Sequence, residues 1–229
     1  HILYVIFNIK SELMKLIIKS ILRPLELYTL FLAFIFTDLF DINFDLTNVD
    51  ETPIKSFLGN LYSILNLLIN TNEPLGALIL IIQFILIIWV AFGKEARLAT
   101  DILAIYLSFC WVLELICMNL LLVSPILNPV FMLTELLLFI PIILIGFSWW
   151  YWRINHKSRI GLGKEAISFD EPPTFMSYFI KTACVAVSDT TEHGVCQTDT
   201  AKLIRILNGF VVMDVFGLTL TRAIGLIVL

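Results

Sequence analysis

The sequence predicts an all-α integral membrane protein with about four to six transmembrane helices and a C-terminal helix–pore loop–helix module. Composition is the first observation behind this fold class: hydrophobic residues make up 59% of the 229 residues, charged residues 15%, and the mean hydropathy is +0.93. Soluble domains are about 45–50% apolar and about 25% charged. The second observation is a series of apolar runs near the roughly 20 residues that a spanning helix needs. We therefore expect most of the surface to face lipid.

The N-terminal part is predicted to hold a surface helix followed by transmembrane helices. Residues 1–23 alternate apolar residues with lysines, which is typical of an amphipathic helix lying on an anionic membrane surface. Residues 24–129 form the N-terminal transmembrane region. Two runs in it, Pro74–Phe92 and Leu98–Val123, pass the length criterion for a spanning helix.

Two other runs in this region are marginal by length and polarity. Pro24–Leu39 carries Glu26 near its start, so it either spans with little tilt or lies in the interface. Phe57–Ile69 is shorter and carries two asparagines; we expect it to be re-entrant, interfacial or packed on other helices. The segment Asp38–Glu51 between them is acidic without a basic residue and is predicted to be a link.

The C-terminal region, residues 130–229, has the order helix, polar link, half-length helix, polar tail, helix. Its first helix is predicted at 130–152 and ends in the aromatic cluster Trp149–Trp152, which is typical of a membrane interface. The largely apolar run 175–187 has 13 residues, which are too few to cross a bilayer. The last helix is predicted at 203–229. Such a half-length helix between two spanning helices predicts a pore loop.

Three stretches of this region resemble the two-helix pore module of potassium channels. Phe175–Phe179 is similar to the aromatic pattern of the pore helix, Ala201–Gly209 to the opening of the inner helix, and Thr221–Leu226 to its end. The resemblance covers somewhat under half the chain. It implies four identical chains around one axis, with the inner helix lining the cavity and bending at Gly209.

The filter region departs from the potassium-channel sequence. Counting without gaps from the pore helix places Val187, Ser188, Asp189 and Thr190 where the filter glycines and their neighbours would be, and neither glycine is kept. A non-glycine residue in a left-handed conformation costs about 1 kcal/mol or more, so we do not expect a cage of backbone carbonyls. The remaining alternatives are a side-chain filter for cations, with Glu192 added, or a closed vestige that conducts nothing.

Four charged residues lie inside the predicted spanning helices, beyond the first and last turns: Glu114, Glu135, Asp214 and Arg222. A charge at the centre of a spanning helix is unfavourable by about 2.5–3.5 kcal/mol on insertion scales, so such residues are functional candidates. One interpretation is an ion or proton pathway. The other is a set of buried partners: Asp214 with Arg222, or either with a neighbouring helix. Gln83 and Asn119 are expected to hydrogen-bond between helices.

No catalytic motif is present, and we predict no enzyme activity. The chain has three histidines, none inside a predicted helix core, and no nucleophile–base pattern or phosphate-binding glycine loop. The acidic and histidine residues of 188–200 match no metal-site spacing, so no metal and no cofactor is expected, whereas bound lipids are. Cys184 and Cys196 flank the polar tail and either pair or remain free. The modest charge, −4, gives no indication of nucleic-acid binding.

Two criteria for the orientation in the membrane disagree. Lysines and arginines mark cytoplasmic links, and they cluster in residues 10–23, 94–97 and 153–164. A potassium-type pore loop, however, enters from outside, directly after the last of these links. The positional resemblance favours the channel orientation in the sequence alone.

Two functions are consistent with these patterns. The first is a channel-like protein whose pore loop conducts cations, which requires identical chains around an axis. The second is a non-conducting accessory subunit of a larger respiratory or photosynthetic membrane complex, in contact with unlike subunits. The lost filter glycines favour the second function, and the C-terminal resemblance favours the first. Copy number distinguishes them, since a lone chain cannot enclose the pore.

Overall fold

The computed structural model describes residues 25–43, 53–94, 96–123, 129–157, 165–187, 193–221 and 224–225. The helices are α1 (Leu25–Asn43), α2 (Pro53–Ile69), α3 (Pro74–Ala91), α4 (Arg97–Val123), α5 (Pro129–Lys157), α6 (Phe175–Ala186) and α7 (Asp199–Val212), which continues as a π-helical segment, Met213–Leu220. Two short strands, β1 (Ile167–Ser168) and β2 (Val195–Cys196), pair antiparallel. Helix predominates, as predicted for an all-α chain.

Three helical stretches of the described residues are long and apolar enough to cross a membrane, by length and composition. They are Pro53–Ala91, Arg97–Leu121 and Leu136–His156. The first stretch contains both α2 and α3, with a turn at residues 70–73 between them. The half-length α6 is apolar but shorter than these.

Several helix boundaries differ from the sequence predictions for local reasons. α1 continues to Asn43, so Asp38 belongs to a helix and not to a link. α5 extends beyond the predicted 152 to Lys157. α7 begins at Asp199 because the Thr198 hydroxyl accepts a hydrogen bond from the Ala201 backbone N–H at 3.3 Å. The predicted surface helix at 1–23 lies outside the described residues.

Helix α5 is the central element of the fold. It packs against α1, α4, α6 and α7, and its side chains join all three apolar clusters. Trp149 and Tyr151 are 2% and 0% exposed. The aromatic cluster predicted to mark a membrane interface is therefore partly core, because α1 and α6 cover this length of α5.

Three helix ends meet at one end of the bundle, which we call the Arg153 end. The Arg153 guanidinium of α5 donates to both oxygens of Asp101 in α4, Nε to Oδ1 at 2.6 Å and Nη2 to Oδ2 at 2.8 Å. Glu26, in the first turn of α1, interacts electrostatically with both residues. Arg153 is 4% exposed. Since a buried charge requires partners, this group holds the starts of α1 and α4 beside the end of α5.

A second polar contact marks the opposite end of the bundle, which we call the Asn119 end. The Asn119 amide of α4 donates to Asp214 Oδ2 in the π-helical segment at 2.8 Å. Asn119 follows Asp101 by 18 residues, which is about 27 Å along a helix. α4 therefore reaches from the Arg153 end to the Asn119 end, a distance close to the roughly 30 Å of a bilayer's hydrocarbon core.

The turn between α2 and α3 lies beside the middle of α4. Asp38 accepts from the Thr71 backbone N–H at 2.9 Å and from its hydroxyl at 3.3 Å. The Tyr106 hydroxyl donates to the Leu68 carbonyl at 2.5 Å, and Trp111 Nε1 donates to Thr37 Oγ1 at 3.2 Å. The partners on α4 are thus its residues 106 and 111, half-way along the helix. Asp38 is buried, and the two donors of Thr71 supply the hydrogen bonds that its buried carboxylate needs.

Candidate functional site: a re-entrant segment

Helix α6 enters the bundle from the Arg153 end and runs antiparallel to α5. The Asn155 amide of α5 donates to the Tyr178 hydroxyl at 2.9 Å. Ser148 lies two helical turns deeper in α5 and hydrogen-bonds to Thr182 Oγ1 at 3.1 Å. The order of the two contacts is reversed along the two helices, so α6 points inward. Its first turn is closed by a capping box in which Thr174 and Ser177 satisfy each other's backbone N–H groups.

After α6 the chain comes back to the Arg153 end. Strand β2 pairs with β1, and the Ile167 N–H of β1 donates to Asn155 Oδ1 at 3.1 Å. The Gln197 N–H donates to the Ala166 carbonyl at 2.9 Å. We call α6 with its return through β2 the re-entrant segment. α7 then starts at Asp199 and reaches the Asn119 end through Asp214.

Lys181 joins the two arms of the re-entrant segment. It projects from the middle of α6, is 5% exposed, and donates from Nζ to the carbonyl of Gly194 and to that of His193 at 3.4 Å. Its ammonium also lies 5.7 Å from the ring centroid of Tyr151. A buried ammonium is stable only with such acceptors around it. Sequence reasoning missed this residue, although a lone lysine within a 13-residue apolar run is a visible signal.

Gly194 is required by the geometry of the return. Its φ is +80°, a left-handed conformation that disfavours residues with a side chain. A Cβ atom at this position would lie 2.7 Å from Phe169 Cε1 and 2.9 Å from Ile167 Cγ2. The glycine thus allows β2 to approach β1, and the Gly194 carbonyl faces the Lys181 ammonium.

The structure locates one of the five predicted filter residues. Val187 is the C-cap of α6 and is 74% exposed. The other four, Ser188, Asp189, Thr190 and Glu192, lie outside the described residues. Their segment begins at the inner end of α6 and ends at the carbonyls that Lys181 holds, so both of its attachment points are defined.

Gly209, the predicted hinge, lies in α7 four residues before the π-helical segment. Among the described residues, no atom outside the adjoining turns of α7 itself lies within 4 Å of the position that a Cβ on Gly209 would occupy. Packing therefore does not require a glycine here. The change from α- to π-helix at Met213, whose N–H bonds to the carbonyls of Gly209 and Phe210, places a helix irregularity next to it.

The predicted intramembrane charges have different environments. Glu114 is 0% exposed, on the face of α4 that carries Cys110 and Cys117, and it interacts electrostatically with both thiols. Asp214 accepts from Asn119, so the interhelical hydrogen bond predicted for Asn119 is present. The Glu135 side chain and Arg222 lie outside the described residues, and the contact of Asp214 with Arg222 stays a prediction.

Two further predictions on polar residues have definite outcomes. Gln83 is 1% exposed, and its predicted interhelical hydrogen bond is not present among the described residues, since neither atom of its amide has a partner there. No disulfide joins Cys184 to Cys196 in this structure, so the pairing alternative is not realised here. In the described part of the chain, no three His, Cys, Asp or Glu side chains are grouped to hold a metal ion.

Comparison with known proteins gives no match: no protein-family model, no curated protein and no solved structure is similar to this chain.

Proposed function

We propose that the chain is a multi-pass integral membrane protein in which several copies surround a cation pathway formed by the re-entrant segment. The path of the C-terminal region is the observation that carries this proposal. α5 ends at the Arg153 end, α6 enters from there and β2 comes back to it, and α7 then crosses to the Asn119 end. Irregular backbone at membrane depth is stable only where protein buries it or water reaches it.

The acidic residues between Val187 and His193 supply the cation preference in this proposal. A ring of Asp189 and Glu192 side chains from several copies would attract cations without strong discrimination among them. The Lys181 ammonium is directed at the backbone carbonyls of His193 and Gly194, so in this proposal it anchors the return and does not line the pathway.

The distribution of basic residues supports a cytoplasmic Arg153 end. Arg97 and Arg153 lie there, Lys94 is three residues before Arg97, and Arg159 and Lys164 follow α5 in sequence. Links with lysine and arginine remain in the cytoplasm. α2 and α3 form one candidate crossing, so the basic links fall on one side. We therefore propose that the re-entrant segment enters from the cytoplasm, which reverses the orientation that the potassium-channel resemblance favours.

Cation flux into proteoliposomes tests the conducting function. We expect the intact chain to conduct potassium or sodium and so dissipate a gradient of that cation across the vesicle membrane. Asp189→Asn should reduce the cation flux by an order of magnitude. Asp170→Asn is the matched control, because Asp170 is exposed and precedes α6. Absence of flux from a well-folded chain, or equal flux from both variants, contradicts the proposal.

An accessory subunit is the second candidate, and the outer face of α7 favours it. Leu203, Ile206, Phe210 and Met213 are each at least 54% exposed, and these apolar side chains are suited to contact with another apolar surface. Native mass spectrometry of the solubilised particle decides between the two functions. Several identical copies support the pathway, whereas one copy among unlike chains supports the accessory subunit.

A further inference from the structure

An apolar groove of about 390 Å³ lies between three helices. Its walls are residues 108–115 of α4, 139–150 of α5 and 204–211 of α7. Ser108 is the one aliphatic hydroxyl in a lining that is otherwise aliphatic and aromatic. Ligand pockets commonly enclose roughly 300–1,000 Å³. The groove is thus large enough for a ligand, and its walls select one without polar groups.

The polar atoms of the lining are turned toward protein partners. Trp111 Nε1 donates to Thr37 Oγ1 at 3.2 Å, and Trp150 Nε1 donates to Ser108 Oγ at 3.0 Å. The Ser108 hydroxyl in turn donates to the Ala104 carbonyl at 2.7 Å. Both indoles therefore present only ring carbons to the groove. A ligand with a hydroxyl, amide or charged group would lose its hydration there without gaining a hydrogen bond.

The wall at Trp111 is also pre-formed. A Cβ atom on Gly146 would lie 2.1 Å from a Trp111 ring carbon, so this ring packs directly on the backbone of α5. The indole hydrogen bond to Thr37 fixes the ring from the other side. A concave surface that exists before binding has little ordering entropy to lose.

The position of the groove along α4 indicates its occupant. Residues 108–115 occupy the middle of α4, with the Arg153–Asp101 pair toward one end and the Asn119–Asp214 contact toward the other. If α4 spans the bilayer as proposed above, the groove opens where the surrounding medium consists of hydrocarbon chains. We propose that this groove binds one acyl chain of a membrane phospholipid. The inference rests on the membrane insertion in the proposed function, but not on cation conduction.

The site lies directly behind the candidate hinge. Leu207 and Val211 line the groove on either side of Gly209. α4 contacts the π-helical segment through Asn119 but is separated from α7 by the groove. An acyl chain in this space fills the gap between α4 and α7, so its presence supports the position of α7.

A photoreactive lipid tests the proposal. The chain is reconstituted with phosphatidylcholine that carries a diazirine in the middle of one acyl chain, irradiated, and analysed by peptide mass spectrometry. We expect adducts to concentrate on the groove walls around Leu115 and Leu207. Val112→Phe fills the groove from α4 and should reduce these adducts about tenfold, because excluding two methylenes removes that much affinity. Val130→Phe, at an exposed valine of α5 outside the groove, is the matched control.

The pattern of adducts distinguishes a failure of the acyl-chain site from a failure of membrane insertion. Equal labelling of the groove and of the exposed α3 face at Leu78 and Ile85 would overturn the acyl-chain site while leaving membrane insertion in place. No labelling of either surface would contradict insertion itself. Val211→Phe fills the groove from α7 and replaces the first variant if that one fails to fold; unchanged groove labelling in a folded filling variant overturns the proposal.

Discussion

The turn between α2 and α3 and the return after α6 both interrupt helical structure, but they expose opposite backbone groups. At the turn, the Thr71 N–H lacks a helical partner, and the Asp38 carboxylate accepts its hydrogen bond. At the return, the carbonyls of His193 and Gly194 need donors, and the Lys181 ammonium supplies them. An anionic side chain therefore closes the first interruption and a cationic side chain closes the second.

The difference shows how this chain can bury non-helical backbone in an apolar bundle. Backbone groups without partners are strongly unfavourable away from water, so each interruption requires a side chain of matching polarity from another part of the fold. Asp38 reaches the turn across 33 residues of sequence, whereas Lys181 reaches the return across 13 residues or fewer. The first device joins separate helices, and the second clamps one local segment.

Replacing Lys181 should have the largest effect. Lys181→Met keeps the apolar stem but leaves two carbonyls without their charged donor, and we expect a loss of about 3 kcal/mol in the free energy of unfolding. Lys202→Met is the matched control, since Lys202 is exposed at the start of α7 and pairs with Asp199 at 3.5 Å; its change should remain below about 0.5 kcal/mol. Tryptophan-monitored unfolding in detergent measures both, and equal stabilities would show that Lys181 is not a clamp.

The turn is tested by two substitutions of Asp38. Asp38→Leu removes the acceptor from the Thr71 N–H and should destabilise the chain by about 2 kcal/mol. Asp38→Asn keeps one amide oxygen in place, and we expect a smaller loss, roughly 1 kcal/mol or less. The same unfolding assay separates the two, and a leucine variant as stable as the asparagine variant would refute the capping role.

Gly194→Ala tests the backbone of the return. The left-handed φ and the close approach of Phe169 predict a loss of about 1.5 kcal/mol. Gly209→Ala is the control, because its added Cβ meets open space in a helix and should stabilise the chain by up to about 1 kcal/mol. Thermal unfolding should therefore shift in opposite directions, and parallel shifts would contradict this account.

Removing either hydroxyl of the Ser148–Thr182 pair between α5 and α6 should have the smallest effect on the free energy of unfolding. The Thr182 hydroxyl donates to the Tyr178 carbonyl at 3.0 Å, and the one proton of the Ser148 hydroxyl is shared between Thr182 Oγ1 and the Leu144 carbonyl. In each single variant, Ser148→Ala or Thr182→Val, the remaining hydroxyl keeps a carbonyl acceptor in its own helix. Each change should therefore lower the free energy of unfolding by only about 0.5 kcal/mol. A double-mutant cycle measures their coupling; a coupling well above 1 kcal/mol would contradict the minor role assigned to this contact.

Local signals made part of this fold predictable from the sequence. The apolar run at 175–187 gave the length of α6, because hydropathy and helix length are both local properties. Residues that depend on distant partners are not predictable in this way: the sequence predicts a link at Asp38 because its partner Thr71 lies in another segment. Lys181 was missed for the same reason, as its acceptors come from a return whose path the sequence does not specify. The start of α7 was placed late because a polar first turn conceals a helix that Thr198 caps.

The re-entrant segment enters and leaves at the same end of the bundle, and cysteine labelling tests this path directly. Single cysteines at Asp170, Gln197 and Thr221, all exposed positions, can be labelled with a membrane-impermeant maleimide in sealed, oriented vesicles after the four native cysteines are replaced. The account predicts that positions 170 and 197 are labelled from one side, the cytoplasmic one, and position 221 from the other. Labelling of positions 170 and 197 from opposite sides would mean that α6 crosses the membrane, and it would contradict both the re-entrant path and the proposed pathway.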